Sequence, residues 1–362
     1  WAMKTPLFDT HVALQARMAP FGGWDMPIQY EGIQPEHQWT RTRAALFDIC
    51  HMGEFELRGP TAQADLERLL TQNVATIAEG QARYGYLLRE DGGVIDDLTC
   101  YRFGPDHFWL IVNASTCADD AAWIRGRLSP QTRFEDISPR TAKLDLQGPA
   151  AREALEQAFA TTAPDLKYFR FATLALDGVP CVISRTGYTG EFGYELYFPI
   201  EHTVAFWQRL LAGGLVKPVG LGARDTLRLE VGYPLYGHEL GLDRTPVAAS
   251  RGLFMDLKKD FIGQAACARE VAQGCPRYLC GLELESKRAA RAHDPVFSGG
   301  ELAGEVTSGS LAPSLGRAVA MAYVQADRCA PGTALEVECH GKRLPARVVE
   351  LPFYKDGSAR RK

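Results

Sequence analysis

The chain has 362 residues, 46% hydrophobic and 23% charged, with 40 Lys and Arg against 44 Asp and Glu for a formal net charge of -4. That length exceeds what one hydrophobic core usually serves, so two or three domains are expected. The charge balance excludes the electrostatic footprint of a nucleic-acid binder, and the one basic run, Ala359-Arg360-Arg361-Lys362, is a short tail.

Apolar runs such as Phe108 to Val112 are too short to span a bilayer, and no charged-then-apolar leader precedes Thr5. A soluble, intracellular protein with no membrane partner is expected. The nine cysteines are odd in number and form no C-x-x-C pair, so they read as reduced core residues. Eight histidines are scattered without H-E-x-x-H or a Cys/His cluster, and no metal site is expected. Neither a Walker phosphate loop nor G-x-S-x-G occurs, which argues against nucleotide hydrolysis and serine-esterase chemistry.

In chain order, Gly59-Pro60 opens a unit with a helix at Thr61 to Thr71, a hairpin at Tyr84 to Phe103, a strand at Phe108 to Val112 and a helix at Ala118 to Leu128. The Gly92-Gly93 pair supplies the hairpin turn. Its run GGVIDDL, Gly92 to Leu98, sets two carboxylates at the start of an apolar strand, where a buried acid is expensive unless it has a partner or a task. Period-two alternation puts Asp97, Thr99 and Tyr101 on one face and Asp96, Leu98 and Cys100 on the other. Asp97 then looks into a site with Tyr101, and the upstream strand brings Tyr84 near it. From this run alone, a hairpin with acids solvated at a strand end stands beside that reading.

A strand at Ala142 to Leu146 leads through Gly148-Pro149 into a helix at Ala150 to Phe159, with proline well placed near the helix start. Gly59-Pro60 precedes a helix in the same way, a weak internal echo. Ser184 to Leu196 then gathers three glycines, Tyr188 and Glu195. Glycine permits close backbone approach to a ligand, and a carboxylate can accept two parallel N–H bonds from an amino-pyrimidinone edge such as a pterin or guanine. Glu191, on the turn itself, is expected to tolerate exchange for glutamine. A glycine-rich hairpin with a solvated acid is the alternative.

His202 to Leu211 reads as a helix, and Gly220 to Glu230 as glycines before a helix start. There Arg224 and Arg228 share a face, one able to clamp a ligand carboxylate and the other to pair with Asp225 or Glu230. Arg228 in particular reads as a solvated helix charge. After Gly274 six short strands with Gly and Pro turns suggest a small β-barrel or sandwich. Strands and helices do not alternate strictly, so the fold class is α+β with mostly antiparallel sheets.

Together these stretches resemble the glycine cleavage system T-protein family, the tetrahydrofolate-dependent aminomethyltransferases. The resemblance runs through Thr5-Pro6-Leu7-Phe8, Phe21 to Pro27, Phe47 to Glu54, GGVIDDL, Val112-Asn113-Ala114, Leu146 to Pro149, SRTGYTGEFGYEL, LGARD, Lys259 to Gly263, Glu305 to Gly316 and Pro352-Phe353-Tyr354. It implies a three-domain cloverleaf around a central folate channel: residues 1–55 with 139–237, 56–138 with 238–273, and 274–362 as a small β-barrel. It implies Asp97 as the catalytic residue and Glu195 as the pterin holder, with Tyr84, Asn113, Tyr168, Tyr188, Arg224, Arg291 and Tyr354 as further folate contacts. Strand parity adds Tyr101.

The implied donor is the aminomethyl-lipoyl arm of a small carrier, the H-protein, with the other glycine cleavage components as partners. The implied products are 5,10-methylenetetrahydrofolate and ammonia, made without metal or flavin in the cytoplasm, or in the mitochondrial matrix of a eukaryote. One region departs from the family pattern: beyond Thr245-Pro246, Ala248 and Leu253 stand where a glutamate and a tryptophan are usual. That departure keeps open a free-standing folate-dependent demethylase of the same fold. A non-enzymatic folate-binding relative in iron-sulfur assembly would carry a cysteine in a K-G-C-Y-x-G-Q type motif, and here the run is Lys259-Asp260-Phe261-Ile262-Gly263-Gln264.

Overall fold

The computed structural model describes residues 1–360, so Arg361 and Lys362 of the basic tail lie outside the described residues. A six-stranded sheet runs in the order Phe171–Leu176, Val179–Ser184, Gly193–Pro199, Thr141–Gln147, Ala44–Asp48 and Val216–Pro218, antiparallel except for the last pair. Alternation splits it into two unlike faces. Ala142, Leu144, Leu146, Leu196 and Phe198 pack under the amphipathic helices Ala151–Phe159 and Thr203–Leu211, against Leu155, Phe206, Trp207 and Leu210. Each such side chain withdrawn from water contributes about 1.5–3 kcal/mol. Lys143, Asp145, Gln147, Glu195 and Tyr197 form the other face and are also buried. Part of it is roofed by helix Leu221–Glu230, whose Ala223 and Leu227 sit on Ala45 and Phe47.

A five-stranded antiparallel sheet follows the order Gln81–Leu88, Val94–Gly104, His107–Val112, Gly53–Arg58 and Arg133–Asp136. Its Leu98, Cys100, Leu110 and Phe55 pack on Leu66, Leu69 and Ile124 of helices Ala62–Leu69 and Cys117–Arg125. The expected hairpin forms, with Gly92 at φ 85° and the Arg89 N–H donating to the Gly93 carbonyl. The other faces of the two sheets meet where Ala82, Tyr101 and Ile111 pack on Val182, Tyr197 and Phe171.

The last six strands close into a barrel between Arg277 and Val349 with its own apolar core. Residues 351–359 then run back over the glycine loop: Tyr354 N–H donates to the Glu230 carbonyl and Ala359 N–H to that of Gly190. No helix among the described residues is long and apolar enough to cross a membrane.

The Gly-Pro echo has a shared geometry. Gly59 and Gly148 adopt φ 130° and 132°, and a Cβ at either would lie 2.1 Å from a backbone carbonyl oxygen, of Gln131 or Arg43. Each strand therefore turns into its helix through a corner that only glycine fits. Gly148→Ala should cost about 2–4 kcal/mol, combining strain and overlap. At Gly214 φ is 75° but nothing lies within 4 Å. Gly214→Ala should therefore cost only about 1 kcal/mol, and urea midpoints of the two variants check the difference.

Candidate active site between the two sheets

Asp97 stands on the inner face of the five-stranded sheet, one diagonal from Tyr84 across the hairpin. The Tyr84 hydroxyl donates to Asp97 Oδ2 at 2.8 Å and the Asn113 amide to Oδ1 at 2.9 Å. Burial and then the charge of Asp96 push the Asp97 carboxyl up to about 7, against the pull of those two bonds. The acids of this hairpin are thus partnered rather than solvated at a strand end. Parity places Asp96 on the opposite, fully buried face, but the acids are not independent: Asn113 also donates to Asp96 from its backbone N–H at 3.0 Å and its amide at 2.7 Å. Tyr101 shares the face of Asp97 without bonding it. Its hydroxyl lies between Ser184 at 3.0 Å, Tyr197 at 3.2 Å and Thr186 at 3.3 Å, on the far sheet.

Glu195 faces that site from the six-stranded sheet. Thr186 Oγ1 donates to its Oε2 at 2.7 Å, and Lys143 Nζ lies 3.6 Å from its Oε1. Burial opposes its charge, yet Lys143, Thr186 and Arg224 together hold the carboxyl below its usual range. Asp145 is its direct cross-strand partner and receives Arg224 at 2.7 Å on Oδ2. Burial, with the charge of Glu195, pushes Asp145 up to about 6 despite Arg224, and its Oδ1 has no partner. Lys143 and Asp145 were missed in reading the sequence. The signal was the alternation in Thr141-Ala142-Lys143-Leu144-Asp145-Leu146-Gln147, a strand with polar residues on a face the fold then buries.

Tyr188 lies near Asp97 and feels the charges of Arg228, Glu239 and Arg224 as well. Its hydroxyl donates to the Pro234 carbonyl, Arg224 lies 4.9 Å over its ring, and Tyr233 stacks on it at 5.9 Å. Tyr168 joins that aromatic row through Tyr233, hydroxyl to hydroxyl at 3.3 Å. Tyr84, Asn113, Asp97, Tyr188, Arg224 and Glu195 are therefore brought together, with Tyr168 and Tyr101 at the margins. Arg291 is on an exposed barrel loop, where its backbone N–H donates to the Asp294 carboxylate at 2.8 Å and its carbonyl accepts from the Asp294 N–H at 3.1 Å. The Tyr354 ring lies under Arg41, 4.3 Å from the guanidinium, in the neighbourhood of Glu191 and Glu230.

Three expectations need correction. Arg228 is 1% exposed, not a solvated helix charge: it binds Asp225, Glu239 at 3.0 Å and the Ser308 hydroxyl of the barrel at 2.8 Å. Glu230 is committed instead to Arg41 at 2.8 Å and His37 at 3.1 Å. Glu191 is no open turn residue, since it is buried against Arg41 at 3.2 Å and the Ser358 N–H at 3.0 Å. In the departing region, Leu253 is 77% exposed, and it is Phe254, one position on, that packs edge-on against Tyr84 at 4.8 Å. Among the described residues no three His, Cys, Asp or Glu side chains form a group able to hold a metal.

A two-sheet core with a C-terminal barrel and two opposed buried acids defines a class, and comparison with known proteins agrees. The GCVT N-terminal domain family matches residues 7–259, and the glycine cleavage T-protein C-terminal barrel domain family matches residues 277–355. The chain belongs to the aminomethyltransferase family of the glycine cleavage system, the T-proteins, and is a transferase. It is 43% identical to an aminomethyltransferase of Desulfitobacterium hafniense over 97% of this chain and 98% of that one. Identity is 44% to one of Symbiobacterium thermophilum, covering 97% of each. The crystal structure of glycine cleavage system aminomethyltransferase T from Bartonella henselae superposes with a TM-score of 0.94 at 34% identity, covering 99% of both chains. Relatives of this name over nearly full length do not favour the demethylase or the iron-sulfur relative.

The buried setting of Glu191 carries a stability prediction. Glu191→Ala should destabilise the fold by about 2–3 kcal/mol, because Arg41 loses a partner and Ser358 its acceptor. The exposed Glu201→Ala should stay within about 0.5 kcal/mol. Denaturant unfolding of both variants measures the contrast.

Proposed function

We propose that the chain takes the aminomethyl group from the lipoyl arm of a carrier protein and delivers its one-carbon unit to tetrahydrofolate at the site between Asp97 and Glu195, releasing ammonia. The observation that carries this reading is the pair of carboxyls on the facing sheets: one held ionised and oriented, the other raised to about 7, with Tyr188 near Asp97. A pterin edge presents N–H donors. Glu195 meets Thr186 through Oε2, while its Oε1 faces Lys143 at the longer distance of 3.6 Å, so the residues present fit such a group.

Tetrahydrofolate, when bound, supplies the two nitrogens that receive the one-carbon unit. The protein's share is position and charge. Glu195 accepts the pterin N–H bonds, while Tyr188, Tyr233 and Tyr84 offer ring faces and edges. Asp97, fixed by Tyr84 and Asn113, presents a carboxylate where positive charge develops on the migrating carbon, and a value near 7 suits it to hold or release a proton at Oδ1 or Oδ2 during transfer. Arg291 and Tyr354 enter the proposal only as outer contacts to the folate tail, on the strength of the resemblance.

The division into three domains belongs to the same proposal. Its support is that the six-stranded sheet and its helices draw on residues 44–48 and 141–230, the five-stranded sheet on 53–136 and the barrel on 277–349; strand Gly53–Arg58 straddles the first boundary. Residues 238–273 go with the five-stranded sheet, since Leu240, Ala249, Phe261 and Cys267 pack on Tyr86, Leu88 and Val94.

Two experiments test the function. Asp97→Asn should bind tetrahydrofolate but lose turnover by a factor on the order of 10² or more, whereas Glu195→Gln should lose about 1–3 kcal/mol of folate binding by calorimetry. Because the charged form of Asp97 is needed and its folded value is raised, turnover should be present above pH 7 and fall as pH drops through about 7. Unchanged folate affinity in folded Glu195→Gln would remove the pterin role.

The second experiment concerns the donor. Ammonia release and methylenetetrahydrofolate formation should both require the loaded carrier, because a tethered arm presents its carbon at high effective concentration. Free methyl donors should substitute poorly. Methyltetrahydrofolate from a free donor, with no product from the loaded carrier, would overturn the assignment.

A further inference from the structure

Asp96 and Asp97 project from opposite faces of one strand, yet a single side chain holds both. The Asn113 amide donates to Asp96 Oδ1 at 2.7 Å and to Asp97 Oδ1 at 2.9 Å, while the Asn113 backbone N–H donates to Asp96 Oδ2 at 3.0 Å. An amide nitrogen has two hydrogens, and here each has a carboxyl as its nearer acceptor, with the Asp97 backbone carbonyl further off at 3.3 Å. Turning the amide over would set its oxygen against two acids, so one orientation is stable. Asp96 thereby decides where the second hydrogen points, and with it where Asp97 is held.

Behind Asp96, on helix Cys117–Arg125, Asp120 is fully buried and no N–H donor reaches either of its oxygens; its carboxyl meets that of Asp96, a contact that holds only if one of the two acids carries a proton to donate. The groups acting on it are Asp96, Asp97 and the Thr116 hydroxyl, none of them a cation. Two carboxyls buried together without a cation cannot both be charged, so one carries a proton. Asp96 has the N–H donors of Asn113 aimed at it and keeps the charge. Asp120 keeps the proton, in keeping with a carboxyl pushed up to about 10 by burial and by the charge of Asp96.

We propose that Asp96 is a positioning residue of the transfer reaction: braced from behind by a neutral Asp120, its carboxylate fixes the Asn113 amide and so aims Asp97 at the reacting carbon. The proposal rests on the reading of Asp97 as the acid beside that carbon. Asp97 is also faced by Tyr84 and Tyr86 of the neighbouring strand, Tyr188 of the glycine loop and Tyr236, with Arg251 acting on the first two. After burial, the charge of Asp96 does most to raise its proton affinity.

The test is turnover across pH with loaded carrier and tetrahydrofolate, together with calorimetric folate binding. In Asp96→Asn, turnover should fall about tenfold while folate affinity stays within about twofold, since the reacting acid is misplaced but the pterin holder is untouched. The acid limb of turnover should move to lower pH, because a negative neighbour of Asp97 has been removed. Asp120→Asn still offers Asp96 a donor and should match the parent within about twofold, with its limb in place. Asp120→Val offers none, so Asp96 takes up a proton and this variant should copy Asp96→Asn in both readouts. A merely structural role would lower stability without moving the limb. Full turnover with an unmoved limb in folded Asp96→Asn overturns the proposal; should that variant not fold, Asp120→Val behaving like Asp120→Asn overturns it instead. Full turnover in Asp97→Asn would strike the underlying assignment of Asp97, and is read separately.

Discussion

Lys143 lies on the strand of Asp145 and 3.6 Å from Glu195, and without its charge the two cross-strand acids of that face could not both persist out of water. Like charges directly opposite on a sheet repel, and burial strengthens the repulsion. Lys143 and Arg224 divide the work: one faces Glu195, the other takes Asp145, and the acid nearer the site stays ionised. Because this polar face is buried, the second sheet must approach it closely, and Tyr101 bridges the gap by bonding Ser184 and Tyr197. The distance between Asp97 and Glu195 is thus set by how the two sheets pack.

The barrel is fastened to this core by charge as well as apolar contact. Arg228 reaches from helix Leu221–Glu230 to Glu239 and to Ser308 of the barrel, while Thr307 donates to the other Glu239 oxygen at 2.6 Å. A buried pair of this kind gains little over an apolar substitute, but losing one partner strands the other. Its effect is to fix one docking angle, so the helix that carries Arg224 to Asp145 is held from both sides.

The elements with strong local signals were readable from the sequence: the GGVIDDL hairpin with Tyr84 beside Asp97, the six barrel strands and the helices beginning at Thr61, Ala150 and His202. Strand parity assigned the faces of Asp96 and Asp97 because period-two alternation is geometric and survives any tertiary context. It did not show that Asn113 joins them, since that bond crosses to the end of another strand. Arg228 and Glu191 were misread for a related reason. A charge in a helix or turn looks solvated until the barrel and residues 351–359 are laid over it, and no local pattern announces what will cover a surface. Lys143 and Asp145 had a pattern, but an alternating polar strand is ordinarily one that faces water.

Residues 351–359 close over the glycine loop in a way that orders events in time. Ser358 meets Glu191 across 167 positions of chain. While the protein is being made, the loop bearing Tyr188 emerges long before the segment that seals it, and its acid and arginine must wait in water or in a loosely closed site. Asp97 and the five-stranded sheet that carries it are complete by residue 136. Asp97 is therefore set in place early, and the segment that closes over the glycine loop is laid down much later.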